Sequence, residues 1–180
     1  MTRTLLSRLR RFGRRQDGTA TIEFVILFPV FMVLTVSAVE MGILTLRQVM
    51  LERGIDITVR ALRVGTMVNP TFGEVKAAIC SSAQIIPNCS AVLHLALTPI
   101  STADWAVPED GITCVDRNDD IDPLINAAQI DSGERNEFML MRACSVFDPM
   151  FPTYGLGPHL PTDESGGYRL IASTSFVNEP

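Results

Sequence analysis

The sequence predicts an α+β protein in which one long N-terminal helix packs on a small antiparallel sheet. Two patterns predict it. An apolar run of sixteen uncharged residues, Phe24 to Val39, continues into an amphipathic helical pattern. Later in the chain, short alternating segments are separated by turn residues, which is typical of strands. The composition, 47% hydrophobic and 19% charged, excludes a disordered tail and a collagen-like fibre.

The predicted helix runs from about Thr19 to Val64 and would be about 69 Å long at 1.5 Å per residue. Its first half is long enough to cross a hydrocarbon core of about 30 Å. Pro29 removes one backbone donor and should bend or loosen this half. The second half carries an apolar stripe, which either packs on the chain's own domain or contacts other copies and partners. We call it the inner stripe, and it consists of Leu44, Leu51, Ile55 and Leu62.

Beyond residue 64 the pattern predicts one compact unit. Gly65 ends the helix, and a second helix is expected at about residues 73–84. Four strands are predicted, at residues 92–97, 111–115, 137–147 and 168–177. Trp105 is expected to be a core or edge anchor of this unit. The chain therefore divides into a basic leader (1–18), a hydrophobic then amphipathic helix (19–64) and an exported α+β domain (65–180).

The charge of the chain is divided unevenly. The first eighteen residues hold six arginines and one acid, a net charge of +5, and the remaining residues carry −10. Arginines beside an apolar span stay in the cytoplasm, so the N-terminus is predicted to be inside and the C-terminal part exported. Four arginines after the span make this asymmetry modest. The acidity of the exported part argues against nucleic-acid binding.

All four cysteines follow the span, on the side predicted to be oxidising. An even number of cysteines in an exported domain usually forms disulfides, and four cysteines allow three pairings. We favour Cys80–Cys89, which closes a short loop, and Cys114–Cys144, which would join two strands. A zinc site is disfavoured because the sequence lacks a CxxC pair and its two histidines are not spaced as ligands.

The leader and the apolar helix together resemble the prepilin signal of type IV pilin-like proteins. That signal is a short basic leader ending in glycine, a glutamate five residues past the cut, an aromatic residue and an apolar helix. Here it reads Arg14-Arg15-Gln16-Asp17-Gly18 and then Thr19-Ala20-Thr21-Ile22-Glu23-Phe24-Val25. The run from Gly18 to Phe24, followed by Pro29, resembles more narrowly the TadE/TadF minor pilins (pseudopilins) of the tight-adherence (Tad) pilus. The resemblance covers about residues 10–65.

This resemblance implies a minor pilin of the inner membrane, involved in pilus assembly, adherence and biofilm formation. A prepilin peptidase would cut after Gly18 and free the amine of Thr19. The carboxylate of Glu23 would pair with that amine, its own or a neighbour's, and so guide helix docking together with Phe24 and Pro29. The partners implied are the inner membrane, the prepilin peptidase, other pilins and Tad inner-membrane assembly proteins. Whether the protein enters the fibre or stays in the membrane is left open.

Several alternatives stand beside this interpretation. Glu23 would have no special role if it simply lies at the inner membrane interface. A signal peptidase cut after Ala38 would release a soluble domain, and an uncut span would make a signal-anchored binding domain with no pilus role. The acidic segment 116–122 is expected to be a solvated turn, with calcium binding as the minor alternative. No catalytic motif, cofactor site, metal site or small-molecule substrate site is predicted.

Overall fold

The computed structural model describes residues 19–103, 105, 112, 114–115, 130, 133, 136–162 and 165–178. These residues form an α+β structure, as the sequence predicts. The helices are α1 (Thr19–Arg63), α2 (Phe72–Ser82) and α3 (Cys89–Val92), with a 3-10 turn at Gly157–His159. The strands are β1 (Leu93–Ile100), β2 (Phe138–Phe147) and β3 (Tyr168–Val177).

The three strands form one antiparallel sheet in the order β1-β2-β3. Leu95, Ala143 and Ala172 lie side by side across it, and all three are buried. Because side chains alternate along a strand, the same face carries the other large core residues of the sheet. These include Leu93, Met139, Met141, Phe147, Tyr168 and Phe176.

The second half of α1 covers this face together with α2. Leu51 and Ile55 of the inner stripe are almost completely buried in the shared core. The two helices cross closely at Gly54, where an added Cβ would lie 2.8 Å from the carbonyl oxygen of Ile79. Thr71 caps α2, since its hydroxyl accepts from the amide of Glu74 while the Glu74 carboxylate accepts from the amide of Thr71.

Two disulfides fasten the connections of the domain. Cys80–Cys89 joins α2 to the start of α3, and Cys114–Cys144 joins the segment before β2 to the sheet face opposite the helices. The Cα atoms of the two pairs lie 5.7 and 5.3 Å apart. This pairing is the one that the sequence analysis favours.

The predicted elements mostly coincide with the observed ones. The long helix ends one residue before the predicted Val64, α2 agrees within two residues at each end, and β3 has the predicted bounds. The strand predicted at 111–115 is wrong for its described residues: Ile112, Cys114 and Val115 have no strand structure. A disulfide, not a strand pairing, holds Cys114 against β2.

The structure decides between alternatives that the sequence leaves open for two features. Trp105 is not a core residue: it is 60% exposed and meets the ring of Phe138 edge-on, with the ring centroids 5.5 Å apart. Of the alternatives for the inner stripe, packing on the chain's own core is observed for Leu51, Ile55 and Leu62, and Leu44 is partly buried against that core. The leader (1–18) and the acidic segment 116–122 lie outside the described residues.

Candidate functional site: the exposed surfaces of the long helix

The first half of α1 is apolar and exposed on all sides. Every residue from 21 to 35 is exposed, and Ile22 and Phe31, for example, each have an exposed fraction of 63%. Within the part of the chain that the structure describes, one helix (Thr21–Arg63) is long and apolar enough to cross a membrane, with a mean hydropathy of 2.4 in its most apolar window. A helix that is apolar all round belongs in lipid or in a bundle of helices. This helix is therefore compatible with a single-pass membrane anchor.

Two hydroxyl groups near the end of this half are satisfied locally. The Thr35 hydroxyl donates to the carbonyl oxygen of Phe31 and the Ser37 hydroxyl donates to that of Val33, both at 2.8 Å. In a solvent without water, an unpaired hydroxyl would be unfavourable, and bonding to the preceding turn removes that penalty. These polar residues are thus compatible with an apolar surrounding.

The structure places most of the predicted assembly residues within this exposed half. Glu23 is exposed and lies one helical turn after Thr19, the first residue of α1. Phe24 stacks on Phe28 with their ring centroids 4.9 Å apart. The helix continues through Pro29 without interruption. Gly18, the predicted cleavage residue, lies outside the described residues.

Glu40 connects the helix to the domain that follows it. Its side chain is completely buried, and its two carboxylate oxygens accept hydrogen bonds from the backbone amides of Met150 and Phe151 at 3.0 and 3.1 Å. Those amides belong to residues 148–157, the connection after β2, which we call the collar loop. Two charge-assisted hydrogen bonds compensate for burying the carboxylate at this position.

The collar loop also touches the helix one turn nearer the membrane-like half. At Gly155, which has a φ of +66°, an added Cβ would lie 2.9 Å from the Ser37 hydroxyl oxygen and 3.3 Å from Val36 Cγ1. Only glycine combines this backbone conformation with such a close approach. The loop therefore reaches down the helix to residues 36 and 37.

Arg47 makes a second contact between α1 and the sheet. Its Nη1 donates to the Tyr168 hydroxyl at 2.7 Å, and its guanidinium lies 4.9 Å from the centre of the Phe147 ring. Burial raises the pKa of the Tyr168 hydroxyl, while the hydrogen bond and charge of Arg47 act in the opposite direction. Glu40 and Arg47 together fix the membrane-proximal end of the domain to the helix.

A second apolar stripe runs along α1 on a more exposed side, although one of its residues, Met50, is partly buried against the core. Its residues recur at alternating intervals of four and three, except that Arg53 and Arg60 occupy two positions of the repeat. We call it the outer stripe, and it consists of Val39, Ile43, Leu46, Met50, Ile57 and Val64. Four of the six, Val39, Leu46, Ile57 and Val64, are between 42% and 64% exposed.

The outer stripe is not among the features predicted above, although its spacing can be read from the sequence. An alternating interval of four and three is the spacing of helices that pack on other helices. The inner stripe overlaps it in sequence, and the structure was needed to show which of the two the domain covers. Four of the six residues of the outer stripe are left exposed by the domain.

Elsewhere on the described surface, few groups indicate a binding or catalytic site. A groove of about 370 Å³ is lined by Arg47, Phe147, Asp148 and residues around Asn88, and it is open to solvent. Burial lowers the pKa of the His94 imidazole, and the charge of Lys76 lowers it further. Among the described residues, no three potential metal ligands come together.

A comparison with protein families gives one match. Residues 18–60 match the TadE family model, which is described as TadE-like protein. The matched segment is about a quarter of the chain and covers most of α1, including the exposed half, Glu40 and most of the outer stripe. No curated protein and no solved structure matches the chain. The match supports the resemblance to a TadE-like protein of the Tad pilus system.

Proposed function

We propose that this chain, with its TadE-like segment at residues 18–60, is a minor pilin or pseudopilin that takes part in assembling a Tad-type pilus for adherence. Its role is structural and not catalytic. The observation that carries the proposal is the coincidence of the TadE-like segment with the helix that the domain leaves exposed.

The proposed route begins with insertion in a bacterial inner membrane. The six arginines of the leader stay in the cytoplasm, and the domain after Glu40 is exported to the periplasm. A prepilin peptidase then cuts after Gly18, where the missing side chain lets the backbone enter the enzyme. The new amine of Thr19 lies one turn from Glu23, so the carboxylate can pair with it or with the amine of a neighbouring subunit.

The outer stripe would extend helix packing beyond the membrane. Lipid-exposed residues of the first half and the outer stripe of the second half follow each other along α1, so another anchored helix can contact both. Arg53 and Arg60 are exposed and interrupt the stripe. Two copies paired in parallel and in register would oppose these like charges, which favours a partner helix with carboxylates at those positions. Other pilins and Tad inner-membrane assembly proteins are the proposed partners.

Mass spectrometry of the protein purified from its own membrane tests the processing step. We expect a mature chain that starts at Thr19. An intact N-terminus would support the alternative of an uncut, signal-anchored domain, and a start at Val39 would indicate release by signal peptidase. A genomic check is simpler: neighbouring genes for a secretin, a secretion ATPase and a prepilin peptidase are expected.

Glu23→Ala tests the assembly role. We expect normal membrane insertion but reduced co-purification with other pilins, because the paired carboxylate is lost. The matched control is Glu52→Ala, which removes an exposed acid of the same helix whose described contact is a hydrogen bond from Gln48. Equal co-purification of Glu23→Ala and Glu52→Ala would contradict the role of Glu23 in registry.

A further inference from the structure

The collar loop has the composition of a surface that meets lipid. The ten residues from Pro149 to Pro158, which follow the exposed Asp148 at the start of the loop, carry no charged side chain. Met150 and Tyr154 are 52% and 50% exposed, although both are large and partly or wholly apolar. Isolated exposed apolar residues need no explanation, but an uncharged stretch of ten residues that presents two of them beside an apolar helix does.

The position of this loop along the helix is fixed by contacts. Glu40 holds the amides of Met150 and Phe151, and Gly155 lies against Val36 and Ser37. Exposure on every side of α1 ends at residue 35, one residue before Val36. The collar loop is therefore the first part of the exported domain that follows the lipid-like half of the helix.

The fully exposed segment is short for a membrane. From residue 21 to residue 35 the helix rises about 21 Å at 1.5 Å per residue. A typical hydrocarbon core is about 30 Å thick, and the charged residues before position 18 cannot extend the span on the other side. A span that is too short is accommodated by thinning the bilayer or by bringing flanking residues into it.

We propose that the collar loop is a second membrane contact, with Met150 and Tyr154 entering the interface of the leaflet on the exported side. This inference rests on the membrane anchorage in the proposed function. Tyrosine is enriched at this depth because its ring is apolar and its hydroxyl meets water. The loop also buries the carboxylate of Glu40 through its backbone amides, so that this charge is not presented to lipid. The bilayer surface, and not a protein, is the occupant.

Tryptophan fluorescence in vesicles tests this contact. Trp105 is the single tryptophan, so Trp105→Phe gives a silent background in which Tyr154→Trp reports on the loop. The full chain is reconstituted in vesicles of phosphatidylethanolamine and phosphatidylglycerol, with and without brominated acyl chains. The matched control is Val68→Trp, because Val68 is 79% exposed and lies beyond the far end of α1.

We expect tryptophan at position 154 to emit at shorter wavelength and to be quenched several-fold more strongly by the brominated lipid than tryptophan at position 68. Equal, weak quenching at both positions would overturn the membrane contact. A blue-shifted but unquenched signal from position 154 would also overturn it, because a protein would then cover the loop. Flotation with the vesicles after carbonate washing reports the anchor separately. A chain that does not float contradicts the anchor itself, whereas a floating, unquenched chain contradicts the loop contact alone.

Discussion

The two halves of α1 belong to one continuous helix but differ in composition and in surroundings: residues 24–39 contain no charged side chain, whereas residues 41–63 contain six. From residue 21 to residue 35 the side chains are exposed all round the helix. After Glu40 the helix has three kinds of surface: an inner stripe buried on the sheet, an outer stripe left open, and a polar remainder. Leu34 is 64% exposed whereas Leu51 is completely buried, although both are leucines in one continuous helix.

The two halves of this one helix therefore suit different surroundings. The second half packs on the domain and meets water, whereas the first half suits lipid or other helices. The second half gains stability by burying one face against β3 and α2, as an ordinary amphipathic helix does. The first half gains nothing from its own domain, so its apolar side chains are compatible only with lipid or with other helices. Removing apolar groups should therefore destabilise the domain in one half and leave it unchanged in the other.

The largest expected effect comes from matched truncations in the two halves. Ile55→Ala removes a side chain that is 1% exposed and should lower the free energy of unfolding of the domain by about 2–5 kcal/mol. Ile26→Ala, at a residue that is 63% exposed, should leave it unchanged within about 0.5 kcal/mol. Thermal or urea unfolding of the full chain in detergent measures both. A similar loss in both variants would contradict the division of the helix.

Glu40→Gln tests the boundary between the halves. The amide oxygen can accept one of the two backbone N–H groups, but the amide nitrogen is a donor and faces the other. One buried donor is left unsatisfied, so we expect a loss of about 1–3 kcal/mol and easier proteolysis in the collar loop. Glu52→Gln is the control on the exposed side of the same helix. If both variants unfolded alike, Glu40 would not hold the loop.

Two glycines of α1 should respond to alanine with opposite signs. Gly54→Ala places a Cβ 2.8 Å from the backbone oxygen of Ile79, which cannot move away without shifting α2. Overpacking of about 1–3 kcal/mol should exceed the gain in helix propensity of about 1 kcal/mol. At Gly42 an added Cβ meets nothing within 4 Å, so Gly42→Ala should stabilise the domain slightly. Unfolding midpoints that move in the same direction would refute the close crossing.

The fold could be predicted largely because its strongest patterns are local. The uncharged run from Phe24 to Val39, the Gly65 stop and the alternation in β3 each follow from the period of one element. The Cys80–Cys89 pairing follows from its short loop, whereas the Cys114–Cys144 pairing is correct although Cys114 does not lie in a strand. The strand predicted at 111–115 failed because a short apolar segment held by Cys114 resembles a strand in sequence without pairing as one.

The site was less predictable because its main features depend on packing between distant segments. Nothing in the sequence around Glu40 indicates that Met150 and Phe151, more than a hundred residues later, would bury its carboxylate. Similarly, the inner and outer stripes both have helical spacing, and only the position of the sheet decides which one remains exposed. The processing residues Gly18 and Thr19 were identified by resemblance, and their cleavage stays a prediction.

The smallest expected effect is a pH dependence of stability that the domain should show and the first half of α1 should not. Burial and the nearby charge of Lys76 lower the pKa of His94 in the folded domain, so the unfolded chain, with a histidine pKa near 6.5, binds the proton more readily. Stability contributed by neutral His94 is therefore present above about pH 6.5 and decreases as the pH falls below that value. Insertion of the lipid-like half, measured by flotation, should not change over the same window.

His94→Gln should flatten this dependence of the unfolding midpoint on pH. His159→Gln, which removes an exposed histidine from the 3-10 turn, controls for the loss of one imidazole. An equal flattening by His159→Gln would show that the dependence does not come from the packed interior of the exported domain. If only His94→Gln flattens the pH dependence of the unfolding midpoint, the response comes from the part of the domain near α2 and β1. It is then separate from the apolar first half of α1.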